Sequence, residues 1–277
     1  MRTRKNARKP AGERMQITGI AANQVTNGTN ILDIEVPKEL EVEVQTKIGF
    51  VDEAMGGNGF TPSACMLFTG TSGAGKTTLM LQMADSITGA GHICLFNTCE
   101  ESLVQVRKVT KRLKSKNGFY VGTEHLVPTI IKNAKELMKK NPGKQIFVIC
   151  DSLQTLDDGK YPNGYTNSMT MVRAAAQMAG FAKTKICGVY PIVVVIGQVN
   201  KDGMFAGKNM IKHAVDIHTH LSIDDSKKSE TYGMRLLEVT KNRFGCNGRT
   251  YVLDMQSDGL RELMSFSKTD IGEKNAD

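Results

Sequence analysis

Tryptophan is absent from the 277 residues, and aromatic residues make up only 6% of them. An apolar content of 40% with 23% charged residues is nevertheless the ordinary range for a soluble globular chain. No stretch approaches the roughly 18 uninterrupted apolar residues of a membrane span, and the first residues lack the apolar core of a secretory signal. No membrane partner is expected, and the expected location is cytoplasmic. The cysteines stand at 65, 94, 99, 150, 187 and 246, mostly in apolar runs, with no CxxC pair. That spacing suits buried free thiols rather than a disulfide framework or a zinc site. The formal charge of +8 favours polyanionic partners without proving one.

Residues 1–30 are polar and carry Arg2, Arg4, Lys5, Arg8, Lys9 and Arg14 before any apolar periodicity begins. They read as a flexible basic arm, either a solvated tail or a nonspecific phosphate contact. From residue 31 to 264, short apolar runs alternate with segments of helical period, the pattern of a parallel sheet covered by helices. Central strands are expected at 65–69, 93–97, 146–150 and 192–197, each nearly continuous in apolar residues as strands buried on both faces are. Leu79, Met80, Met83, Ala84 and Ile87 form one helical stripe, and Leu103, Val106, Val109 and Leu113 a second. Further strands at 217–223, 236–240 and 251–255 read as additions on the C-terminal side, the last of them antiparallel. His218 and His220 share a face of their strand; packing is the expected role, because no third metal ligand stands nearby. Residues 265–277 read as a polar tail.

The chemistry starts at Gly70-Thr71-Ser72-Gly73-Ala74-Gly75-Lys76-Thr77, which satisfies GxxxxGK[ST] between a buried strand and a helix. Glycines let successive N–H groups point at phosphate oxygens, and the helix that follows presents its positive end. The expected ligands are ATP and Mg²⁺. Lys76 is expected to reach the β- and γ-phosphates and Thr77 the metal, with Thr78 also in the nucleotide-binding set. Asp151 ends the apolar run 145–150 and is the candidate second metal residue. Glu100 and Glu101 follow the strand that ends near Asn97. Glu100 is the expected base for the attacking water and Glu101 lies nearer the helix start.

These stretches resemble the RecA-like ATPases, and within them the ATPase core of the RadA family, over about residues 47–262. The matching pieces are the phosphate loop, Glu100-Glu101-Ser102-Leu103, Asp151-Ser152-Leu153-Gln154-Thr155-Leu156 and Lys241-Asn242-Arg243-Phe244-Gly245. The KNRFG run is the most specific. The resemblance implies a RecA-like α/β fold, with a mainly parallel central sheet flanked by helices and antiparallel strands added at the C-terminal side. It also implies a DNA-stimulated ATPase that assembles as a homo-oligomeric ring, a hexamer by expectation, acts on single-stranded DNA and promotes branch migration. Lys241 and Arg243 would then reach a neighbour's nucleotide, and Gln198 would sense the γ-phosphate. The loop after Gln198, with Lys201 and Lys208, resembles a DNA-binding loop, and 157–168, with Lys160, occupies the place of another.

The chain departs from that family in having no four-cysteine zinc module, only a short tail after 262, and Gln198 where histidine is more common. Those departures put full branch migration in doubt, together with any recombination or replication partner held by the missing parts. Two rivals remain: a replicative helicase of the DnaB type, and a KaiC-like nucleotide-dependent assembly module that uses no DNA.

Overall fold

The computed structural model describes residues 30–199, 208–245 and 247–267. Most of the basic arm, Lys201, Cys246 and residues 268–277 lie outside them. The chain divides into two compact units, Met1–Pro37 and Lys38–Asp277, later than the expected boundary at 30. In the first, the side chain of Asn30 accepts a hydrogen bond from Leu32 N at 3.0 Å and caps a single 3₁₀ turn, Ile31–Asp33.

In the second unit the four apolar runs are strands: β1 (Cys65–Gly70), β2 (Ile93–Thr98), β4 (Ile146–Asp151) and β5 (Ile192–Gln198). Every residue of β1, β2 and β4 is buried, as is all of β5 except Gln198. Each extends one residue past its expected end, because the polar residue there still pairs in the ladder: Gly70 with Gln198, and Thr98 with Asp151. A short strand β3 (Tyr120–Gly122), β6 (Ile217–Ile223), β7 (Arg235–Asn242), β8 (Arg249–Gln256) and β9 (Gly259–Ser267) complete one sheet, ordered β3-β2-β4-β5-β1-β6-β7-β8-β9. Pairing is parallel from β3 through β6 and antiparallel from β6 to β9.

Two strands were not expected. β3 is only three residues long and largely exposed, and β9 carries charged residues on its exposed half, so neither shows an apolar run. β9 runs to Ser267, past the expected boundary at 264.

Alternate strand residues serve two core layers, as the period of two requires. Met66, Phe68, Cys94, Phe96 and Phe147 pack with α1 (Gly49–Met55), α2 (Lys76–Gly89) and Val106 of α3 (Leu103–Arg112). Cys65, Leu67, Leu95, Val148 and Val193 pack with α4 (Val127–Lys140), α5 (Thr170–Ala182) and Ile211 of α6 (Lys208–Ala214). All five residues of the α2 stripe are buried. The α3 stripe is weaker. Val106 is buried and Val109 and Leu113 partly so, but Leu103 is 43% exposed because it opens the helix at the rim.

The acids before α3 do not cap it, contrary to the expectation for Glu101. Ser102 is the N-cap, accepting from Gln105 N at 3.3 Å while Gln105 Oε1 accepts from Ser102 N at 2.9 Å, a reciprocal capping box. Of the described cysteines, Cys65, Cys94 and Cys150 are buried, Cys99 is half-buried and Cys187 is exposed. Among the described residues no helix is long and apolar enough to cross a membrane.

Candidate nucleotide-binding site

The carboxyl ends of β1, β2, β4 and β5 meet at one edge, where a parallel sheet opens its crevice. A cleft of about 450 Å³ there is lined by Ser72, Gly73, Gly75, Lys76, Thr77 and Thr78, with Glu100, Asp151 and Gln198 opposite. The two glycine positions that matter most differ in their reason. A Cβ on Gly70 would stand 2.2 Å from Leu221 O, since β6 runs directly alongside, whereas Gly75 takes φ +103°, which side-chain-bearing residues rarely adopt.

Lys76 is the first residue of α2 and is buried. Its ammonium donates to Gly70 O and Thr71 O, both at 2.9 Å, so the loop curls around its own lysine. Burial lowers its pKa, while the Asp151 and Glu100 carboxylates oppose that shift. Thr77 Oγ1 donates to Asp151 Oδ2 at 2.6 Å. Burial pushes the Asp151 carboxyl up to about 6; the Thr77 hydrogen bond counters this, and Glu100 and Glu101 add to it. A buried carboxylate touching a hydroxyl, with further negative charge beside it, is a donor set that fits a hard divalent cation such as Mg²⁺.

Glu100 is held from two sides. Ser152, buried and joined to Asp151 by a cis peptide, donates from Oγ to Glu100 Oε1. Gln198 Nε2 donates to both carboxylate oxygens, at 3.0 and 2.7 Å. Glu101 instead turns inward, and its Oε2 is buried without a partner among the described residues.

Three residues of the cleft went unnoticed in the sequence: Arg112, Arg235 and Met255. Arg112 ends α3 and donates to Ser257 O at 3.0 Å and Thr78 Oγ1 at 3.5 Å. Met255 covers Gly75 so closely that a Cβ there would lie 2.3 Å from its methyl group. Arg235 enters because β7 is antiparallel, which brings its first residue to the phosphate-loop edge. For the two arginines the trace in the sequence was slight, a basic residue closing a helix or opening a strand.

The same antiparallel turn puts Lys241 and Arg243 at the other edge. Arg243 Nη1 donates to Asp216 Oδ1 at 2.9 Å, and Asp216 Oδ2 accepts from Cys65 N, at the start of β1. The phosphate loop leaves the end of that strand, about 16 Å away at ~3.3 Å per residue. Lys241 donates to Lys212 O at 2.6 Å and Val215 O at 2.5 Å, at the end of α6. Burial lowers its pKa, with the nearby Arg243 charge adding to the shift. Lys160 lies outside the cleft beyond β4, and Lys208 is the first residue of α6.

His218 is buried, with Nε2 2.9 Å from Thr69 Oγ1 and Nδ1 against Thr240 Oγ1; His220 Nδ1 is 3.0 Å from the same Thr69 hydroxyl. Both histidines thus take packing and hydrogen-bonding places in the β1–β6–β7 face.

No protein-family model matches the chain. Among curated proteins it is 30% identical over 241 residues to the DNA repair protein RadA of Bacillus subtilis, covering 85% of this chain and 48% of that protein. It is 32% identical over 232 residues to RadA of Brucella abortus, covering 82% of this chain and 47% of that protein. The chain thus spans about half the length of these relatives. Among solved structures it superposes on one determined as an isolated ATPase domain with a TM-score of 0.64 at 17% identity, covering 82% of this chain and 93% of that one. A DnaB-like replicative helicase, solved in a study of its interactions with primase, gives 0.67 at 16% identity, covering 81% and 63%. The chain therefore has the RecA-like P-loop ATPase fold, and over more than four fifths of its length it is similar to part of the DNA repair protein RadA.

Proposed function

We propose that this protein is a magnesium-dependent ATPase that acts as a motor on single-stranded DNA in recombination or repair, by RadA-like branch migration or unwinding. The observation that carries the reading is the cleft in which Lys76, Thr77, Asp151, Glu100 and Gln198 converge, in a chain similar to RadA over most of its length. Glu100 is the base: Ser152 and Gln198 fix its carboxylate, leaving it to take a proton from a water aligned on the γ-phosphate. Lys76 exchanges its loop carbonyls for phosphate oxygens and holds the charge that develops there. Thr77 and Asp151 hold Mg²⁺, which when bound neutralises charge on the β- and γ-phosphates.

Lys241 and Arg243 stand at the edge opposite their own loop, so they can act only on another subunit's nucleotide. A homo-oligomeric ring, read as a hexamer, is then needed for turnover though not for binding. DNA contacts fall to Lys160, Lys201 and Lys208. The likeness to a DnaB-like helicase supports strand unwinding as a second reading, which displacement of a labelled strand from a fork would distinguish from branch migration. Measuring ATP hydrolysis with and without single-stranded DNA, alongside filter binding of the DNA, tests the proposal. Hydrolysis that DNA does not stimulate, with no retention of DNA on the filter, would overturn it.

A further inference from the structure

Between β4 and α5, residues 157–168 leave the same sheet edge as the cleft, and Gln154 Nε2 ties their start to Gln198 O at 2.9 Å. One arginine holds the loop at both ends. Arg173 pairs through Nε with the buried Asp158, and its Nη2 reaches Thr170 Oγ1 at 3.3 Å and Asn167 Oδ1 at 3.5 Å. Gln177 Nε2 adds a bond to Asp158 O at 2.9 Å.

On that frame stand two tyrosines. The Arg173 guanidinium and the Lys160 ammonium each lie 5.5 Å from the centre of the Tyr161 ring. Tyr161 meets Tyr165 nearly at right angles, 87° at 5.6 Å between centroids, and Tyr165 is 64% exposed. A single exposed tyrosine is ordinary on a protein surface. Here the ring beneath it is fixed by a clamped arginine, so Tyr165 is presented with little freedom left to lose on binding.

Resting on the single-stranded DNA reading above, we propose that Tyr165, backed by Tyr161, is a stacking platform for an unpaired base, with Lys160 beside it for the adjoining phosphate. A flat π surface next to a cation matches a nucleotide, which joins a flat ring to an anion. Stacking on aromatic side chains tolerates any base and requires the base to be unpaired. The platform therefore selects single strands over duplex without reading sequence, a task that phosphate contacts alone cannot perform.

The test uses the full chain with a fluorescent oligo-dT and an abasic oligomer of equal length and charge, comparing wild type with Tyr165→Ala and Tyr165→Phe. Tyr165→Ala is expected to weaken oligo-dT binding about 10-fold while leaving abasic binding and the salt slope unchanged; Tyr165→Phe keeps wild-type affinity for both. Equal thermal melting of the three proteins shows that the loop has not unfolded. Wild-type affinity of Tyr165→Ala for oligo-dT, or equal weakening for both oligomers, would overturn the platform while leaving the DNA reading standing. Failure of the wild type to bind either oligomer would overturn both.

Discussion

Gln198 Nε2 donates to both carboxylate oxygens of Glu100, at 3.0 and 2.7 Å, joining the ends of β5 and β2 across the strand that carries Asp151. A base held this way loses its function when its charge goes and its geometry stays. Glu100→Gln is expected to bind ATP with wild-type affinity and to lose about 10²- to 10⁴-fold in kcat, the usual worth of general-base catalysis. Single-turnover hydrolysis together with nucleotide titration measures the two effects separately; a kcat within about threefold of wild type would remove Glu100 from the chemistry.

Lys76→Ala is expected to abolish hydrolysis, because backbone N–H groups alone cannot supply the positive charge that the lysine brings to the γ-phosphate. Phosphate release at the wild-type rate in that variant would sink the assignment of the loop.

Arg243→Ala is expected to bind ATP and lose on the order of 10³-fold in turnover, the effect of removing an arginine finger. Its fold should survive, since Asp216 keeps Lys183 at 3.4 Å and the Cys65 N–H. Mixed with Lys76→Ala, it should regain activity, because some sites then join an intact loop to an intact finger. Absence of rescue in rings shown to exchange subunits would assign Arg243 to structure alone.

Replacing Lys201 and Lys208 together by Ala is expected to flatten the log–log salt dependence of single-stranded DNA binding by up to about 1.4 per engaged subunit, at about 0.7 per phosphate contact. Affinity should fall equally for all sequences. A titration series in salt reads the slope, and an unchanged slope would clear these two lysines of DNA contact.

Stability should fall in acid because of His218. Burial lowers its pKa to about 3, with the charges of Lys212, His220 and Lys241 adding to the shift. The unfolded chain therefore takes up this proton near pH ~6.5 and the folded chain only near 3, so stability is complete above about 6.5 and falls through that window by up to about 1.4 kcal/mol per pH unit. His218→Asn should flatten that part of a denaturation-against-pH profile; an identical slope in the variant would show that another group is responsible.

The amino-acid sequence by itself determined the phosphate loop, the four buried strands and the carboxylate at the end of β4. Each is local: a run of apolar residues long enough for a doubly covered strand, followed at once by the glycines, lysine or acid that chemistry requires at its end. Only the tertiary structure decided which distant residues share the cleft. Arg235 and Met255 reach it, while Lys241 and Arg243 end at the far edge, because β7 and β8 reverse direction beside β6 and the hydrogen-bonded register carries each strand end to one side or the other. It also chose between adjacent acids: Glu100 meets Ser152 and Gln198, and Glu101 turns inward, because Ser102 and not an acid begins the helix. That choice depends on side-chain directions set by neighbouring strands, which a linear pattern of charges does not contain.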